Sequence, residues 1–229
     1  AYVHKLVTGR RQQFKQLRQE NGLSGYPSRA ESPHDWIENS HASTVLSYAH
    51  GLAQSVEAAG TDRRVVAVIG DGSMTGGMAY EALNNLGHGQ QRVLIILNDN
   101  GRSYAPTVSP LSTSLSRLRA NPTYMTARNL IERGIKNVPG FGNIAAAGMK
   151  GMKAAVREAI EPFAFFEALD VRYIGPIDGH DIAGMEAAFR DATTYDGPIV
   201  VHVLTQKGRG YAPAEDDDEK HLHDVKIFD

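Results

Sequence analysis

Two short clusters of polar residues stand out because each one directly follows a run of apolar residues. Gly-Asp-Gly at 70–72 comes after residues 65–69, and Asn-Asp-Asn at 98–100 comes after residues 93–97. Runs of this length and composition are typical of buried β-strands. Between the two clusters, residues 76–86 have the apolar spacing of an α-helix. The pattern predicts a strand–turn–helix–strand unit with an acid after the first strand and amides after the second.

The chemistry of these clusters follows from where such a unit places them. Parallel strands joined by a crossover helix put both loops on one edge of the sheet, where open α/β sheets bind ligands. Asp71 offers an anionic oxygen and Asn100 a neutral one, which suits Mg²⁺ with phosphate oxygens and water as its other ligands. Glycines let the backbone approach an anion, and the helix N-terminus adds N–H groups. The residues therefore predict a divalent cation that holds a diphosphate.

The composition limits the other functions that the chain can have. Its 229 residues suffice for one large α/β domain. A formal net charge of −2 gives no electrostatic reason to expect nucleic acid or an anionic membrane as a partner. The absence of cysteine excludes disulfides, thiolate catalysis and cysteine-based zinc sites. No apolar run approaches the roughly 20 residues of a transmembrane helix, and the start lacks a signal-peptide layout, so we expect a cytoplasmic protein.

Further elements are predicted on both sides of the central unit. Residues 10–20 favour a short helix, residues 22–34 an irregular loop, and residues 42–59 a helix that begins just after His41. For residues 103–160, which lack a continuous pattern, we expect a mobile or irregular segment with helical stretches.

The last third of the chain again alternates between strand and helix patterns. It predicts a strand, a helix and a strand at residues 171–177, 182–193 and 198–205. The DGHD sequence at 178–181 forms a turn that caps the helix, and we assign His180 to fixing that turn. KGRGYAPAE at 207–215 follows the last strand, which places it on the ligand edge if that strand is parallel.

Taken together, these segments resemble the 1-deoxy-D-xylulose-5-phosphate synthase family. The strand–GDG–helix–strand–NDN arrangement resembles the diphosphate-binding domain of thiamine diphosphate enzymes in general. The narrower resemblance rests on HKLVTGR (4–10), GLSGYPSRAESPHD (22–35), SHAST (40–44), YIGPIDGHD (173–181) and KGRGYAPAE (207–215). The final LHDVKIFD resembles the point where the family's first domain gives way to its second.

This resemblance implies a fold and a domain organisation. The fold would be α/β, with a mostly parallel sheet, helices on both faces and the architecture of thiamine diphosphate-binding domains. Residues 1–229 would form a single diphosphate-binding domain, and we expect the pyrimidine-binding and C-terminal domains to be absent. The glutamate that generates the reactive ylide belongs to those domains, so we expect the chain alone to be inactive.

The resemblance also implies roles for individual residues. Mg²⁺ would be ligated by the Asp71 carboxylate, the Asn100 amide oxygen and the backbone carbonyl of Arg102. His223 would be the active-site histidine that hydrogen-bonds the substrate-derived oxygen or shuttles protons, work that suits histidine near neutral pH. The residues implied to contact the cofactor are Ser40, His41, Ala42, Gly72, Ser73, Asn100 and Tyr211. The family usually has glycine where this chain has Ser40.

The implied reaction condenses pyruvate with D-glyceraldehyde 3-phosphate to 1-deoxy-D-xylulose 5-phosphate and releases CO₂. It requires thiamine diphosphate and Mg²⁺, serves isoprene and thiamine biosynthesis, and would take place in a homodimer of the complete protein. Two other readings stay open, namely a transketolase-type subunit that needs a partner chain and a non-catalytic module that binds cofactor or partner. A Rossmann or P-loop domain is disfavoured because neither GxGxxG nor GxxxxGK[ST] follows the first strand.

Overall fold

The computed structural model describes residues 1–101, 164–219 and 221–223. Contacts divide the chain into two compact units, Ala1–Thr44 and Val45–Asp229. The predictions made for residues 103–160 and for Arg102 lie outside the described residues. Within the described part of the chain, no helix is long and apolar enough to span a membrane.

The secondary structure follows the predicted alternation through most of the described chain. The helices are α1 (Tyr2–Val7), α2 (Val45–Ala58), α3 (Gly77–Gly89), α4 (Ile182–Thr193) and α5 (Ala212–Glu215). The strands are β1 (Val65–Gly70), β2 (Val93–Asp99), β3 (Arg172–Asp178) and β4 (Ile199–Leu204). Short 3-10 helices span Arg11–Gln16 and Ser73–Thr75, and residues 164–167 form a further helical turn.

The four strands form one parallel sheet in the order β1-β2-β4-β3. In register, Val65 faces Val93 across the first pairing and Leu94 faces Ile199 across the second. Since all the strands point the same way, their carboxyl ends share one edge. The condition set for the KGRGY segment is met, because β4 is parallel and this segment therefore follows the carboxyl edge of the sheet.

Helices cover both faces of this sheet, as buried parallel strands require. On one face, α2 and α3 bury Leu46, Leu83 and Leu86 against residues of β1 and β2 that include Ile69 and Ile95. On the other face, Ala192 of α4 is buried in a cluster with β-strand side chains, which are Leu94, Ile177, Ile199, Val201 and Val203. The predicted α/β fold with helices on both faces is confirmed.

The amino-terminal unit differs from its prediction. The short helix predicted for residues 10–20 is present as a 3-10 helix that spans only Arg11–Gln16. No residue of that 3-10 helix is buried, so the apolar spacing of Phe14 and Leu17 finds no core to pack against. Most helices owe their stability to such packing rather than to propensity. The irregular loop predicted for residues 22–34 is confirmed.

Buried charges hold the amino-terminal unit together. Lys5 Nζ donates to Glu31 Oε2 at 2.5 Å. The Arg10 guanidinium donates from both terminal nitrogens to the two oxygens of Asp35, at 2.8 and 2.6 Å. These hydrogen bonds from Arg10 hold the pKa of Asp35 well below its usual range. The cluster ties the HKLVTGR segment to the loop that contains Glu31 and Asp35.

We predict that acid weakens this unit through Asp35. Its pKa is lower in the folded chain than the unfolded value of about 3.9, so its stabilising contribution is complete above pH ~4 and is lost as pH falls further. Asp35→Asn should lower the free energy of unfolding near neutral pH by about 3 kcal/mol, because it leaves the buried Arg10 with only its 3.2 Å contact to Glu31 as an ion pair. The variant should also lose less stability than wild type between pH 6 and pH 3.

Trp36, the single tryptophan, lies next to Asp35 and reports the transition by its fluorescence during denaturant unfolding. The matched control is Asp62→Asn, which removes a carboxylate that is 90% exposed and paired with Arg92. This change should cost less than about 0.5 kcal/mol, since exposed ion pairs contribute little. An equal loss of stability on acidification in wild type and Asp35→Asn would contradict the role given to Asp35.

Candidate functional site

The loops that follow β1, β2 and β4 meet at the carboxyl edge of the sheet. Gly70 pairs with Asn98, and Asn98 pairs with Val203, at the ends of the three strands. The Asp71 N–H donates to the Asn98 carbonyl at 3.2 Å, so the first loop extends the ladder by one further contact. The predicted approach of the Gly-Asp-Gly and Asn-Asp-Asn clusters is confirmed.

The Gly-Asp-Gly loop turns tightly into the helix that follows it. The Asp71 carbonyl accepts from the Met74 N–H at 3.1 Å, and the Gly72 carbonyl accepts from the Thr75 hydroxyl at 2.8 Å. The chain passes through the Ser73–Thr75 3-10 helix before α3 begins. Asp71 is only 4% exposed, so this acid is buried at the carboxyl edge of the sheet.

The Asn-Asp-Asn loop is anchored from the β4 side. Thr205 donates from its hydroxyl to Asn98 Oδ1 at 2.7 Å and from its N–H to the Asp99 carbonyl at 2.9 Å. Asp99 Oδ1 in turn accepts from the Gly101 N–H at 3.1 Å, in a turn where Gly101 has a φ of +75°. Asn100 lies between these fixed residues and is partly exposed.

Behind this loop lies a buried polar line that the sequence reasoning missed. His202 Nε2 lies 3.0 Å from Asp99 Oδ2, and His202 Nδ1 lies 2.7 Å from the Tyr173 hydroxyl. Asp99 is 1% exposed and His202 is fully buried. The available signal was a histidine inside the otherwise apolar strand PIVVHVL. A titratable side chain at such a position requires a partner, because an unpaired polar group is costly to bury.

After β4, the KGRGY segment forms a compact turn beside the predicted catalytic histidine. Gly208 and Gly210 have φ values of +80° and +90°, which favour glycine at both positions. Tyr211 is 60% exposed at the start of α5. Lys207 Nζ lies 2.5 Å from His223 Nδ1, so the structure brings His223 to this segment.

His180 occupies the structural position that its turn role requires. Its N–H donates to Asp178 Oδ1 at 2.9 Å, and its Nε2 accepts from the Gln206 N–H at 2.8 Å. His180 thereby joins the DGHD turn to the residues that follow β4. Asp181 caps α4 by accepting from the Gly184 N–H at 3.1 Å, as the sequence predicted for this turn.

The amino-acid sequence relates the chain to known proteins. The family model described as 1-deoxy-D-xylulose-5-phosphate synthase matches residues 1–205. The chain belongs to this family. Two relatives named 1-deoxy-D-xylulose-5-phosphate synthase, from Rhodococcus erythropolis and Mycobacteroides abscessus, are each 52% identical to it. Both alignments cover 100% of this chain and 36% of the relative, so the chain spans about a third of their length.

A solved structure shows that the fold extends beyond the synthase family. Transketolase from Campylobacter jejuni matches with a TM-score of 0.59 at 18% sequence identity. The match covers 93% of this chain and 27% of the transketolase chain. At this identity the likeness concerns the fold alone, and it confirms the α/β architecture predicted from the sequence.

Three further residues that the synthase resemblance implicated belong to the amino-terminal unit. Ser40, His41 and Ala42 are exposed residues of the amino-terminal unit. There the His41 N–H donates to Asn39 Oδ1 at 2.8 Å, and the His41 carbonyl accepts from the Thr44 hydroxyl at 3.1 Å. These contacts shape the start of α2. The predicted contacts of this turn with a cofactor stay predictions.

Proposed function

We propose that the complete protein is a thiamine diphosphate- and Mg²⁺-dependent 1-deoxy-D-xylulose-5-phosphate synthase. It would condense pyruvate with D-glyceraldehyde 3-phosphate and release CO₂. The observation that supports this proposal most strongly is the 52% identity to relatives of that name along the whole of this chain. The proposal extends to a cytoplasmic homodimer in which this chain forms the diphosphate-binding part.

The residues at the carboxyl edge fit the proposed cation. Asp71 and Asn100 contribute only oxygen ligands from their side chains, and Mg²⁺ prefers oxygen. Among the described residues there is no group of three or more His, Asp or Glu side chains that could hold a metal. A set with one carboxylate, one amide and the Arg102 carbonyl would leave positions for diphosphate oxygens. This set matches Mg²⁺ better than a metal that requires several charged or imidazole ligands.

The surrounding residues would bind and orient the cofactor. Gly72 and Ser73 lie at the start of the 3-10 turn before α3, so their N–H groups would donate hydrogen bonds to the diphosphate. Tyr211 would contact the cofactor from the exposed start of α5, and Ser40, His41 and Ala42 would line the thiamine site. When bound, thiamine diphosphate supplies the carbanion chemistry, and the protein contributes orientation and proton transfer.

His223 would donate a hydrogen bond to the substrate-derived oxygen through a defined nitrogen. Because the Lys207 ammonium has only donors, His223 Nδ1 must accept from it, and the ring proton then lies on Nε2. Lys207 therefore orients the imidazole so that Nε2 is the nitrogen that would donate to an oxygen or transfer a proton.

We place the groups that activate the cofactor outside this chain. This chain covers 36% of the length of the relative from Rhodococcus erythropolis, which is therefore nearly three times as long. The glutamate that generates the ylide and the arginines that hold the aldehyde phosphate would come from other parts of the complete protein. The chain by itself would then bind Mg²⁺ and diphosphate weakly and would not turn over.

Asp71→Ala tests the proposed cation site. The variant of the complete protein should bind thiamine diphosphate at least about 100-fold more weakly in the presence of Mg²⁺, because it lacks a carboxylate ligand. Calorimetric titration measures the binding, and excess EDTA should reduce wild type to the same level. Asp62→Ala serves as the control, because it removes an exposed carboxylate before β1. This variant should bind thiamine diphosphate as tightly as wild type. Unchanged binding by Asp71→Ala would remove the assignment.

The reaction itself is tested by CO₂ release from pyruvate with the complete protein. We expect release to depend on added D-glyceraldehyde 3-phosphate and to yield 1-deoxy-D-xylulose 5-phosphate, detected by mass spectrometry. Release that proceeds equally fast without the aldehyde would instead identify another kind of pyruvate-decarboxylating enzyme.

In the same assay, His223→Ala should keep the fold and cofactor binding but lower turnover by about 10²- to 10⁴-fold, the usual effect of losing a proton-transfer group. The control is His88→Ala, which removes an exposed histidine of α3. Turnover close to wild type in His223→Ala would show that this histidine takes no part in the reaction.

A further inference from the structure

The buried line formed by Tyr173, His202 and Asp99 connects three strands behind the candidate site. Tyr173 belongs to β3, His202 to β4 and Asp99 to the end of β2. The hydroxyl–imidazole distance is 2.7 Å and the imidazole–carboxylate distance is 3.0 Å. All three residues are buried. The line therefore crosses the neighbouring strands β3, β4 and β2 and ends at Asp99, the residue that precedes Asn100.

Burial alone does not explain why these polar residues are present. The neighbours of His202 in β4 are apolar, and Val200 and Val201 are fully buried. An apolar residue at 202 would avoid the desolvation of an imidazole, and buried polar networks contribute only when every member is paired. A histidine at 202 supplies a directional hydrogen bond to Asp99, which an apolar side chain could not make.

The hydrogen-bond directions along the line follow from Asp99. Its Oδ1 accepts from the Gly101 N–H, and its Oδ2 faces His202 Nε2, so the carboxylate accepts on both sides. Nε2 of His202 then donates, and Nδ1 accepts from the Tyr173 hydroxyl. The Tyr173 ring is stacked on Phe166 at a centroid distance of 5.5 Å. The Tyr173 hydroxyl thus holds the His202 imidazole, and the imidazole holds the Asp99 carboxylate.

The end of the line determines the shape of the Asn-Asp-Asn loop. Asp99 is held by His202 and also binds Gly101, so the residues on both sides of Asn100 are fixed. The loop also touches the Asp71 loop through the Asn98 carbonyl. Without the imidazole, the Asp99 side chain would lose one of the contacts that hold it in the core, and the turn at Asn100 would be held less firmly.

We propose that His202, held by Tyr173, is a positioning residue that keeps the turn at Asn100 in place beside the Asp71 loop for Mg²⁺ and diphosphate. This inference rests on the proposed function and adds to it a residue that touches neither cofactor nor substrate. Groups that orient metal ligands through hydrogen bonds affect metal affinity even though they lie behind the ligands.

The test is the Mg²⁺ concentration that gives half-maximal binding of thiamine diphosphate to the complete protein, measured by calorimetry at a series of Mg²⁺ concentrations. His202→Leu removes both hydrogen bonds and should raise this concentration by about tenfold or more. His202→Gln retains an N–H donor for Asp99 and should stay within about threefold of wild type. A value for His202→Leu equal to that of wild type would overturn the positioning role.

Val201→Ala separates positioning from stability. Val201 is a fully buried residue of the same strand, but it packs in the cluster on the other face of the sheet from Tyr173, so truncating it weakens the core without opening a cavity beside the line. It should lower the Tm without changing the Mg²⁺ concentration needed for half-maximal binding. If Val201→Ala raised that concentration as much as His202→Leu, the effect would be one of stability and the proposal would be wrong.

If His202→Leu does not fold, Tyr173→Phe is measured instead, because it removes only the hydroxyl that holds the imidazole. We expect the Mg²⁺ concentration for half-maximal binding to rise about threefold or more, and no rise would overturn the proposal.

Wild type and Asp71→Ala, measured alongside, separate this inference from the function on which it rests. Binding to wild type without any need for Mg²⁺ would overturn both. Mg²⁺-dependent binding that Asp71→Ala abolishes and His202→Leu leaves intact would overturn the positioning role alone.

Discussion

Strand β2 pairs in parallel with β1 on one side and with β4 on the other. Across the first pairing, Asp71 reaches the Asn98 carbonyl; across the second, Thr205 and His202 reach Asn98 and Asp99. The register of both pairings is therefore a condition for the candidate site. A slip of one residue in β2 would turn Asp99 away from His202 and carry its apolar side chains to the wrong face of the sheet.

The sequence predicts those parts of this arrangement that depend on residues close together in the chain. The apolar run that becomes β2 is recognisable by itself, and α4 has its predicted bounds because Asp181 caps its first turn. The meeting of the Asp71 and Asn100 loops was also predictable, since a crossover helix between parallel strands leaves few alternatives. Motif spacing and strand direction together therefore located the edge at which the loops after β1 and β2 meet.

The parts that could not be predicted depend on residues far apart in the chain. His202 pairs with Asp99 across 103 positions, and no local pattern indicates that contact. Lys5 and Arg10 appear in the sequence as ordinary surface charges, yet both are buried with carboxylates from a later loop. The helix expected over residues 10–20 is shorter and of the 3-10 type for a different reason, because propensity and spacing do not reveal whether a core is available. Long-range pairing of polar groups decided the first two outcomes.

The placement of β4 near the end of the described chain has a consequence for the protein's synthesis. As the chain leaves the ribosome, β1 and β2 emerge long before the strand that completes the sheet beside them. Until β4 arrives, one side of β2 lacks its parallel neighbour, and contacts between residues so distant in sequence form slowly. An open strand edge of this kind can pair with other chains. Nascent chains that stop before β4 would therefore be prone to aggregate and unable to complete the hydrogen bonds around Asn98 and Asp99.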